Sequence, residues 1–453
     1  MNTIKQQLEA RLAAMREENE VLASALSDSV KLTDYAPKNG VWTEAFQKAL
    51  DEHEIVVIPA AEEPYVLDNS IIIPSDRKII AEEGAVIRLG EDVKVLMMRN
   101  SNTVDGTHMP IKGVERNRNI TFIGGTWEES CTTRLGYGNS GKYDEARSLY
   151  GVSTCLFLEN LDHLTMKNMT FRNCGGFAVQ IGEISNVYIE NIRFINCFAD
   201  GIHVNGNTDN LHIRDVSGQV GDDLVALNMY DWQNSTVNFG PCNNVLCEDL
   251  ELDANARYKA FRIQAGIYYF DDGSTVDCSL NNAVLRRIKG IKTFKMYYQT
   301  PSYKVYEEPE RGGVGSGDNI IFEDIDIDLV SPMDGFENYE QGDPVTGAFA
   351  GFELGLNVKN LYFKDISIKL YRDKYPTAYL ACIGPRSVRI DDVEIFDPYV
   401  SSHADMMYLE NIKINGENPD DIRPYVREIV FDHLYPDGPS TGSGTIGKLV
   451  YKK

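Results

Sequence analysis

The chain has few basic residues, few cysteines and no long apolar run. Its 453 residues include 44 Lys and Arg against 68 Asp and Glu, a formal net charge of −24 at pH 7. A nucleic-acid-binding protein normally presents a basic face, so this balance argues against nucleic acid as a partner. No apolar segment approaches the roughly 20 residues that a membrane-spanning helix needs. We therefore expect no membrane partner either.

The small number of cysteines bears on the compartment. Eight cysteines are spread over the chain without CxxC or zinc-ligand spacing, which predicts free thiols in a reducing environment. The first twenty residues carry charges throughout and lack the apolar core of a secretory signal. The histidines form no metal-spaced pair, so we expect neither a catalytic metal nor a cofactor. Together these features predict a cytoplasmic protein.

Residues 1–35 carry the one long helical pattern. Apolar residues recur at spacings of three, four and seven, at Ile4, Leu8, Leu12, Met15, Leu22 and Leu26. This amphipathic helix must bury its stripe, either as an intramolecular cap on the rest of the chain or in a homo-oligomer. A second, short helix is predicted within Val41–Asp51. The sequence thus predicts two parts, residues 1–35 and 36–453.

The remainder repeats a unit of two short alternating strands joined at a polar bend. The repeats begin at His163, Asn186, Asn210, Asn244, Asn282, Asn319, Asn360 and Ser387. The first two steps are short and nearly equal, the next four are longer by an insertion, and the last is short again. Self-similarity at such a period indicates coils that bury their apolar faces on their neighbours.

The period identifies the kind of stack. Apolar residues alternate with a period of two, which argues against helical repeats, and the tightest units are too short for a propeller blade. About 23 residues make one turn of three short strands with bends. The sequence therefore predicts an all-β fold, a single-stranded right-handed parallel β-helix. Asn173-Cys174 and Asn196-Cys197 are separated by one such turn and should stack, with hydrogen bonds between their amides.

The segment after the first helix carries a family resemblance. Thr43-EAFQKALDEHEIVVIP and Ile73-PSDRKIIAEEGAVIRL resemble the opening of the pectin-lyase-like superfamily of right-handed β-helices. The resemblance implies the same fold over most of the chain. It does not imply one reaction, because this fold hosts hydrolases, lyases, esterases and phage tailspikes.

Three carboxylates are candidates for catalysis. The strands that begin Asp200-GIHVNG and Asp222-DLVALN are offset by one minimal coil. Asp200 should then lie against Asp222, with Asp223 beside it. A general acid next to a general base requires such an arrangement.

The same residues resemble the polygalacturonase family, glycoside hydrolase family 28. There an N-x-D strand is followed one coil later by a G/Q-D-D strand, which Asp200 and Gly221-Asp222-Asp223 match. The resemblance implies that Asp222 or Asp223 is the general acid, that the other carboxylates activate water, and that configuration is inverted. The chain departs from the family at Phe198-Ala199-Asp200, where the Asn is missing.

The cationic residues of that family are also altered. In one alignment Lys259 takes the place of the family's His. In the same alignment Lys295 takes the place of the Arg, and Tyr297 that of the Lys, in the family's R-I-K strand. In the other, Arg262-Ile263-Gln264 is the degenerate R-I-K strand. Both alignments stay open, and both put plain polygalacturonate in doubt. A different uronic acid and a neutral sugar, such as a rhamnose- or fructose-containing glycan, are the alternatives.

Other residues near these strands are candidates for substrate binding. His203 alternates with the core residues Ile202 and Val204, so we expect it to face outward on the side of Asp223. Insertions after Asn210 lengthen the coils and contain aromatic residues such as Trp232, Tyr268 and Tyr298. Such insertions would wall a pocket beside the carboxylates and favour exo attack on oligosaccharides.

These observations predict an exo-acting glycoside hydrolase of plant-type oligosaccharides such as pectin-derived uronates. The predicted site comprises Asp200, Asp222 and Asp223 for catalysis and, for substrate binding, His203, Lys259, Arg262, Gln264, Lys295 and Tyr297. The alternatives are a β-helix lyase that uses a bound calcium ion, a fructan-acting enzyme, and a non-catalytic glycan-binding protein.

Overall fold

The structure is a computed structural model of the chain. It describes residues 1–91, 93, 95–104, 111, 113–133, 154–231, 238–256, 258–270, 272–297, 312–329, 349–376, 378–384, 387–390, 393–396, 402–428, 430–432 and 441–453.

Strands dominate these residues, and two α-helices precede most of them. The helices are α1 (Asn2–Ala25) and α2 (Thr43–Glu52). The first strands are β1 (Ser29–Lys31), β2 (Ile55–Ile58), β3 (Tyr65–Leu67), β4 (Ile71–Ile73), β5 (Arg77–Leu89), β6 (Met98–Asn100), β7 (Asn117–Glu128), β8 (Thr154–Arg172), β9 (Phe177–Ile195), β10 (Ile202–Asn205), β11 (Thr208–Gly218), β12 (Val225–Asn228), β13 (Cys242–Leu252) and β14 (Ala260–Gln264). The others are β15 (Gly266–Tyr269), β16 (Thr275–Cys278), β17 (Leu280–Lys289), β18 (Thr293–Tyr297), β19 (Gly312–Val314), β20 (Ser316–Leu329), β21 (Phe349–Gly355), β22 (Asn357–Leu370), β23 (Ala378–Ile383), β24 (Ser387–Ile390), β25 (Val393–Phe396), β26 (Ser402–Ile414), β27 (Val426–Glu428), β28 (Val430–Asp432) and β29 (Thr441–Lys452).

The chain divides into two compact units. The N-terminal unit comprises residues 7–226 and 234–239, and the C-terminal unit comprises residues 1–6, 227–233 and 240–453.

In the N-terminal unit the strands stack in parallel, coil on coil. β8 pairs with β9 along most of its length, with Leu164 opposite Val187, and Val187 in turn lies opposite Leu211 of β11. These partners follow the predicted steps from His163 to Asn186 and on to Asn210, so the first predicted coils are confirmed. Each coil covers the apolar edge of the one before it, which is how a solenoid builds its core.

The C-terminal unit continues the pattern with longer coils. Val245 of β13, Ala283 of β17, Ile320 of β20 and Leu361 of β22 lie opposite one another in succession, each one place after the predicted start of its repeat. The three lengthened steps from Asn244 to Asn360 are therefore confirmed.

The last predicted repeat has a different structure. The coil that follows β22 begins near Met406, since β22 pairs with β26. The predicted coil at Ser387 is wrong, because β24 and β25 form an antiparallel hairpin instead. A short alternating strand has the same pattern in a hairpin as in a coil, and sequence does not separate the two.

The polar bends have a conformational reason. His163, Asn186 and Asn210 have φ of 63°, 59° and 58°, in the left-handed region. Asn and Asp enter this region at lower cost than other residues with a Cβ, which explains why they recur at the bends. The predicted amide stack is confirmed, because Asn196 Nδ2 donates to Asn173 Oδ1 at 2.8 Å.

Aromatic side chains also stack in register inside each unit. Phe171 and Phe194 are parallel at 5.6 Å in the N-terminal unit, and Phe294 and Phe352 at 5.1 Å in the C-terminal unit. All four rings are fully buried. The eight cysteines are buried as free thiols.

Residues 7–25 of α1 belong to the N-terminal unit and pack against its strands. Leu8, Leu12 and Met15 of the predicted stripe are buried. Asn19, also buried, donates from Nδ2 to the carbonyl oxygens of Leu164 and Asn186 at 3.1 and 3.0 Å. The helix thus supplies a hydrogen-bond donor to backbone carbonyl groups of β8 and β9.

The parallel register and the alternation of buried residues establish the predicted fold class. The protein is an all-β, right-handed parallel β-helix with a short N-terminal helical segment. Among the described residues, no helix is both long and apolar enough to cross a membrane.

Candidate active site

A bend followed by β10 positions Asp200. Gly201 N donates to Asp223 O at 2.9 Å, and Ile202 N donates to Leu224 O at 3.0 Å. In a parallel ladder these bonds place Asp223, not Asp222, opposite Asp200. The predicted alignment, which set Asp222 against Asp200, is therefore one residue short, because backbone pairing after the bend sets the register rather than the similarity of the two strands.

The structure brings the three predicted catalytic carboxylates together. One carboxylate oxygen each of Asp200, Asp222 and Asp223 lies within 4.8 Å of the other two. All three side chains are buried, at 2%, 8% and 0% exposure. We call these residues the acidic cluster. Three carboxyl groups this close can share protons and a water molecule, and oxygen ligands at this spacing also suit a divalent cation.

Asp200 is held at both of its oxygens. His203 Nδ1 lies 2.6 Å from Oδ2, and the backbone N–H of Asp223 donates to Oδ1 at 3.1 Å. Hydrogen bonds to a charged acceptor are shorter and stronger than neutral ones. The carboxylate of Asp200 is therefore fixed by two directional contacts, one within its own coil and one to the next coil.

His203 is buried, although the sequence predicts that it faces outward. Ile202 and Val204 are fully buried in the core as predicted, and His203 lies on the other face of β10, but it is only 1% exposed. Its ring stacks on Phe177 with centroids 4.0 Å apart and 15° between the planes. The expected outward-facing His203 is thus packed against Phe177, and in this position its Nδ1 contacts Asp200.

Two side-chain amides extend the hydrogen-bond network beyond His203, and neither was predicted from the sequence. Asn205 Nδ2 lies 3.3 Å from His203 Nε2, and Gln180 Nε2 donates to Asn205 Oδ1 at 2.7 Å. With Asn205 donating to Nε2, the imidazole carries its proton on Nδ1 and donates it to Asp200. Alternation along β10 could have indicated Asn205, which is two residues after His203. Gln180 lies opposite His203 only through the β9–β10 register.

The predicted cationic residues lie in the C-terminal unit. Arg262 of β14 is opposite Lys295 of β18, and Gln264 is opposite Tyr297. These four positions therefore occupy adjacent coils. Lys259 precedes β14, where its carbonyl accepts a hydrogen bond from the backbone N–H of residue 292 at 2.8 Å.

Neighbouring groups restrain two of these cations. Lys295 is 3% exposed, with Nζ 3.9 Å from Glu353 Oε2. The Arg262 guanidinium lies 5.8 Å from the ring centroid of Tyr258, in cation–π range. The side chain of Tyr297 lies outside the described residues. The role of this set in substrate binding stays a prediction.

The predicted aromatic walls are described only in part. Tyr268 lies in β15, which pairs antiparallel with β16 and β19, and its ring meets Phe270 edge-on at 5.1 Å. Trp232 and Tyr298 lie outside the described residues, as do segments 298–311 and 330–348 of the predicted wall. The predicted exo-type pocket therefore stays a prediction.

No protein-family model matches the chain. The solved structures to which it is similar include a family 28 exopolygalacturonase from Yersinia enterocolitica, at 11% identity and TM-score 0.47, covering 94% of this chain and 78% of that one. An endo-xylogalacturonan hydrolase from Aspergillus tubingensis follows at 12% identity and TM-score 0.42, covering 87% and 97%. The surface adhesin PfbA of Streptococcus pneumoniae has 14% identity and TM-score 0.42, covering 94% and 100%. At these identities and TM-scores, none of these similarities assigns a function to the chain.

Proposed function

We propose that the protein is a glycoside hydrolase that cleaves oligosaccharides at the acidic cluster. The observation that carries the proposal is the convergence of three buried carboxylates within 4.8 Å of one another. Glycosidic bond cleavage needs one carboxylic acid to protonate the leaving oxygen and a second carboxylate as base or nucleophile. A purely structural role would not require three acidic side chains at one place.

The hydrogen bonds suggest how the roles divide. Asp200 accepts hydrogen bonds at both oxygens, so it suits the part of the general base, whereas the general acid must carry a proton. Asp222 or Asp223 is then the acid. His203 acts as a positioning residue that keeps Asp200 oriented toward the other two.

The substrate class follows the resemblance to pectin-degrading enzymes. We propose short plant-type oligosaccharides, pectin-derived uronates or related sugars, attacked from one end in the cytoplasm. The decisive experiment incubates the purified chain with oligogalacturonides, rhamnogalacturonan fragments and fructans, and identifies products by mass spectrometry. Release of monosaccharide before any fall in viscosity of a polymer supports exo action.

Substitution tests the cluster itself. Asp223→Asn and Asp200→Asn should lower kcat by roughly 10²–10⁴-fold, the usual contribution of general acid–base catalysis. Asp209→Asn, on a surface-facing carboxylate of the same unit, is the control and should leave kcat unchanged. Full turnover by Asp223→Asn would remove the acidic cluster from the mechanism.

Stereochemistry is a separate test. The nearest oxygens of the cluster are closer than the separation of about 6.5–9.5 Å between the carboxyl groups of inverting enzymes. Inversion is implied by the family resemblance alone. Proton NMR of the first-formed anomer decides it, since retention would overturn that part of the proposal and leave hydrolysis intact.

A polysaccharide lyase is the second candidate, because the spacing of the acidic cluster also suits a calcium ion. A lyase acting on uronates would release an unsaturated product that absorbs ultraviolet light, and a chelator would abolish the reaction. Chelator-resistant release of saturated sugars supports the hydrolase instead.

A further inference from the structure

A cavity of about 450 Å³ lies in the N-terminal unit, beside the ends of β5 and β7. Its wall includes Arg88, Glu128, Ser130, Asn173, Asn196 and Phe198. The volume falls within the range of roughly 300–1,000 Å³ that is usual for small-molecule sites. None of these residues belongs to the acidic cluster.

A buried carboxylate organises the polar side of the cavity. Glu128 Oε2 accepts hydrogen bonds from Arg88 Nη2 at 3.1 Å and from Arg172 Nη2 at 2.6 Å, while Oε1 accepts from Asn173 Nδ2 at 2.9 Å. Burial alone would raise the pKa of Glu128, but the bonds from Arg172, Asn173 and Arg88 outweigh it and lower the pKa. Glu128 therefore stays ionised at neutral pH and fixes the guanidinium of Arg88.

Two polar atoms of this network remain for a ligand. In the bonds recorded among the described residues, Arg88 uses Nε and Nη2 for Glu128, which leaves Nη1 as a donor. Asn196 uses Nδ2 for Asn173 Oδ1, which leaves its own Oδ1 as an acceptor. A donor and an acceptor on the wall of one cavity suit hydroxyl groups, which both donate and accept. Because both side chains are already ordered, little entropy is lost when a ligand binds.

The charges favour a neutral ligand. Arg88 and Arg172 are balanced by Glu128 and by Glu91, which also lines the cavity. A charged ligand of either sign would therefore meet a charge of its own sign on the cavity wall. A polyhydroxylated molecule without charge avoids this repulsion.

Phe198 supplies the apolar wall and the link to the acidic cluster. Its partly exposed ring lines the cavity, and an aromatic face of this kind packs against the C–H groups of a sugar ring. Phe198 precedes Asp200 by two residues, so their Cα atoms are at most about 7.6 Å apart. The backbone at this wall of the cavity is therefore close to the backbone of Asp200.

We propose that this cavity is a second carbohydrate subsite, which holds a neutral glycosyl unit of the oligosaccharide cleaved at Asp200, Asp222 and Asp223. The inference rests on the proposed hydrolase function for the cleavage and on the cavity itself for the binding. It predicts that substrates with a neutral unit beyond the scissile bond bind more tightly than those without one.

Binding to the intact chain tests the subsite. Xylobiose, galactobiose, cellobiose and maltose are titrated calorimetrically into the Asp223→Asn chain, in which we expect turnover to be too slow to disturb the titration. At least one should bind, and adding Phe198→Ala or Arg88→Ala should weaken that binding about tenfold or more, equivalent to about 1.4 kcal/mol. The matched control is Arg118→Ala, an exposed arginine of the same unit that pairs with Asp76 outside the cavity, and it should change binding less than twofold.

The outcomes separate this inference from the proposed function. Binding that survives both Phe198→Ala and Arg88→Ala, or the absence of binding by all four disaccharides, overturns the subsite even where the wild-type chain hydrolyses oligosaccharides. Binding that both variants lose, in a chain that hydrolyses nothing, supports the carbohydrate cavity and overturns the hydrolase. Thermal unfolding of each variant is measured alongside, and a variant that unfolds at the wild-type temperature reports on binding alone.

Discussion

His203 Nδ1 lies 2.6 Å from Asp200 Oδ2, and the two side chains are 1% and 2% exposed. A buried carboxylate is stable only when its oxygens have hydrogen-bond donors, so the imidazole is part of what keeps Asp200 in the cluster. The ring is in turn fixed by stacking on Phe177.

Removing the imidazole should therefore affect both stability and turnover. His203→Ala takes a donor from Asp200 and leaves a void against Phe177, and we expect it to lower the free energy of unfolding by about 2–4 kcal/mol and to reduce kcat. His203→Asn keeps an N–H near the position of Nδ1 and should restore part of both. Urea unfolding and initial rates measure these effects, and an Ala variant that matches the wild type in both would contradict the positioning role.

Gly201 lets the Asp200 bend approach the next coil. A Cβ at Gly201 would lie 2.6 Å from Leu224 O and 2.7 Å from Phe194 Cε2, closer than real contacts allow. We expect Gly201→Ala to cost about 1–3 kcal/mol of stability, as overpacking does, and to lower activity by shifting Asp200. Gly90→Ala is the control, since its nearest neighbour would be 3.3 Å away. Equal unfolding midpoints for the two variants would show that the bend tolerates a side chain.

Glu159 predicts a pH dependence of stability. Burial is the main cause that raises the pKa of Glu159 to about 8. A hydrogen bond from Val104 N lowers this pKa, and the charge of Glu183 raises it further. A raised pKa means that the folded chain holds the proton more tightly than the unfolded chain. The resulting stabilisation is complete below the ordinary pKa of 4.5 and is lost as pH rises through about 8.

Glu159→Gln removes this titration and keeps an acceptor for Val104. The free energy of unfolding of the variant should exceed that of the wild type increasingly as pH rises. We expect a difference of a few kcal/mol at pH 9 and much less at pH 5, since each pKa unit is worth about 1.4 kcal/mol. Urea unfolding at pH 5, 7 and 9 measures the difference, with Glu115→Gln on an exposed carboxyl as control. A difference that does not change with pH would assign the effect to something other than ionisation.

The effect of a substitution at a bend on stability should depend on whether the new residue tolerates the left-handed backbone conformation. Asn191 has φ of 53° and donates from Nδ2 to Asn168 Oδ1 at 2.8 Å. Asn191→Val forces a β-branched residue into the left-handed region and should destabilise the chain by about 1–3 kcal/mol. Asn191→Gly loses the same hydrogen bond without the strain and should cost less. If both variants unfold at the same urea concentration, the hydrogen bond and not the conformation sets the bend.

The coil architecture could be predicted from the sequence because its information is local. Alternating apolar residues, Asn and Asp at the bends and a recurring repeat length can all be read within one coil or between two neighbouring ones. The stacking of Asn173 and Asn196 needs nothing more than their separation. For the same reason the prediction fails at Ser387, where a hairpin has the same local pattern as a coil.

Sequence alone also determined which residues make the acidic cluster, since Asp200, Asp222 and Asp223 each precede a strand in neighbouring coils. Tertiary structure decided how they meet: the backbone bonds from Gly201 and Ile202 place Asp223 opposite Asp200 and bury His203 beside it. It also brought Gln180 toward Asn205 and Arg88 toward Glu128, pairs that are far apart along the chain. Such contacts depend on the register between coils and on the path of each bend, which are set by packing between coils and not by the residues of any one of them.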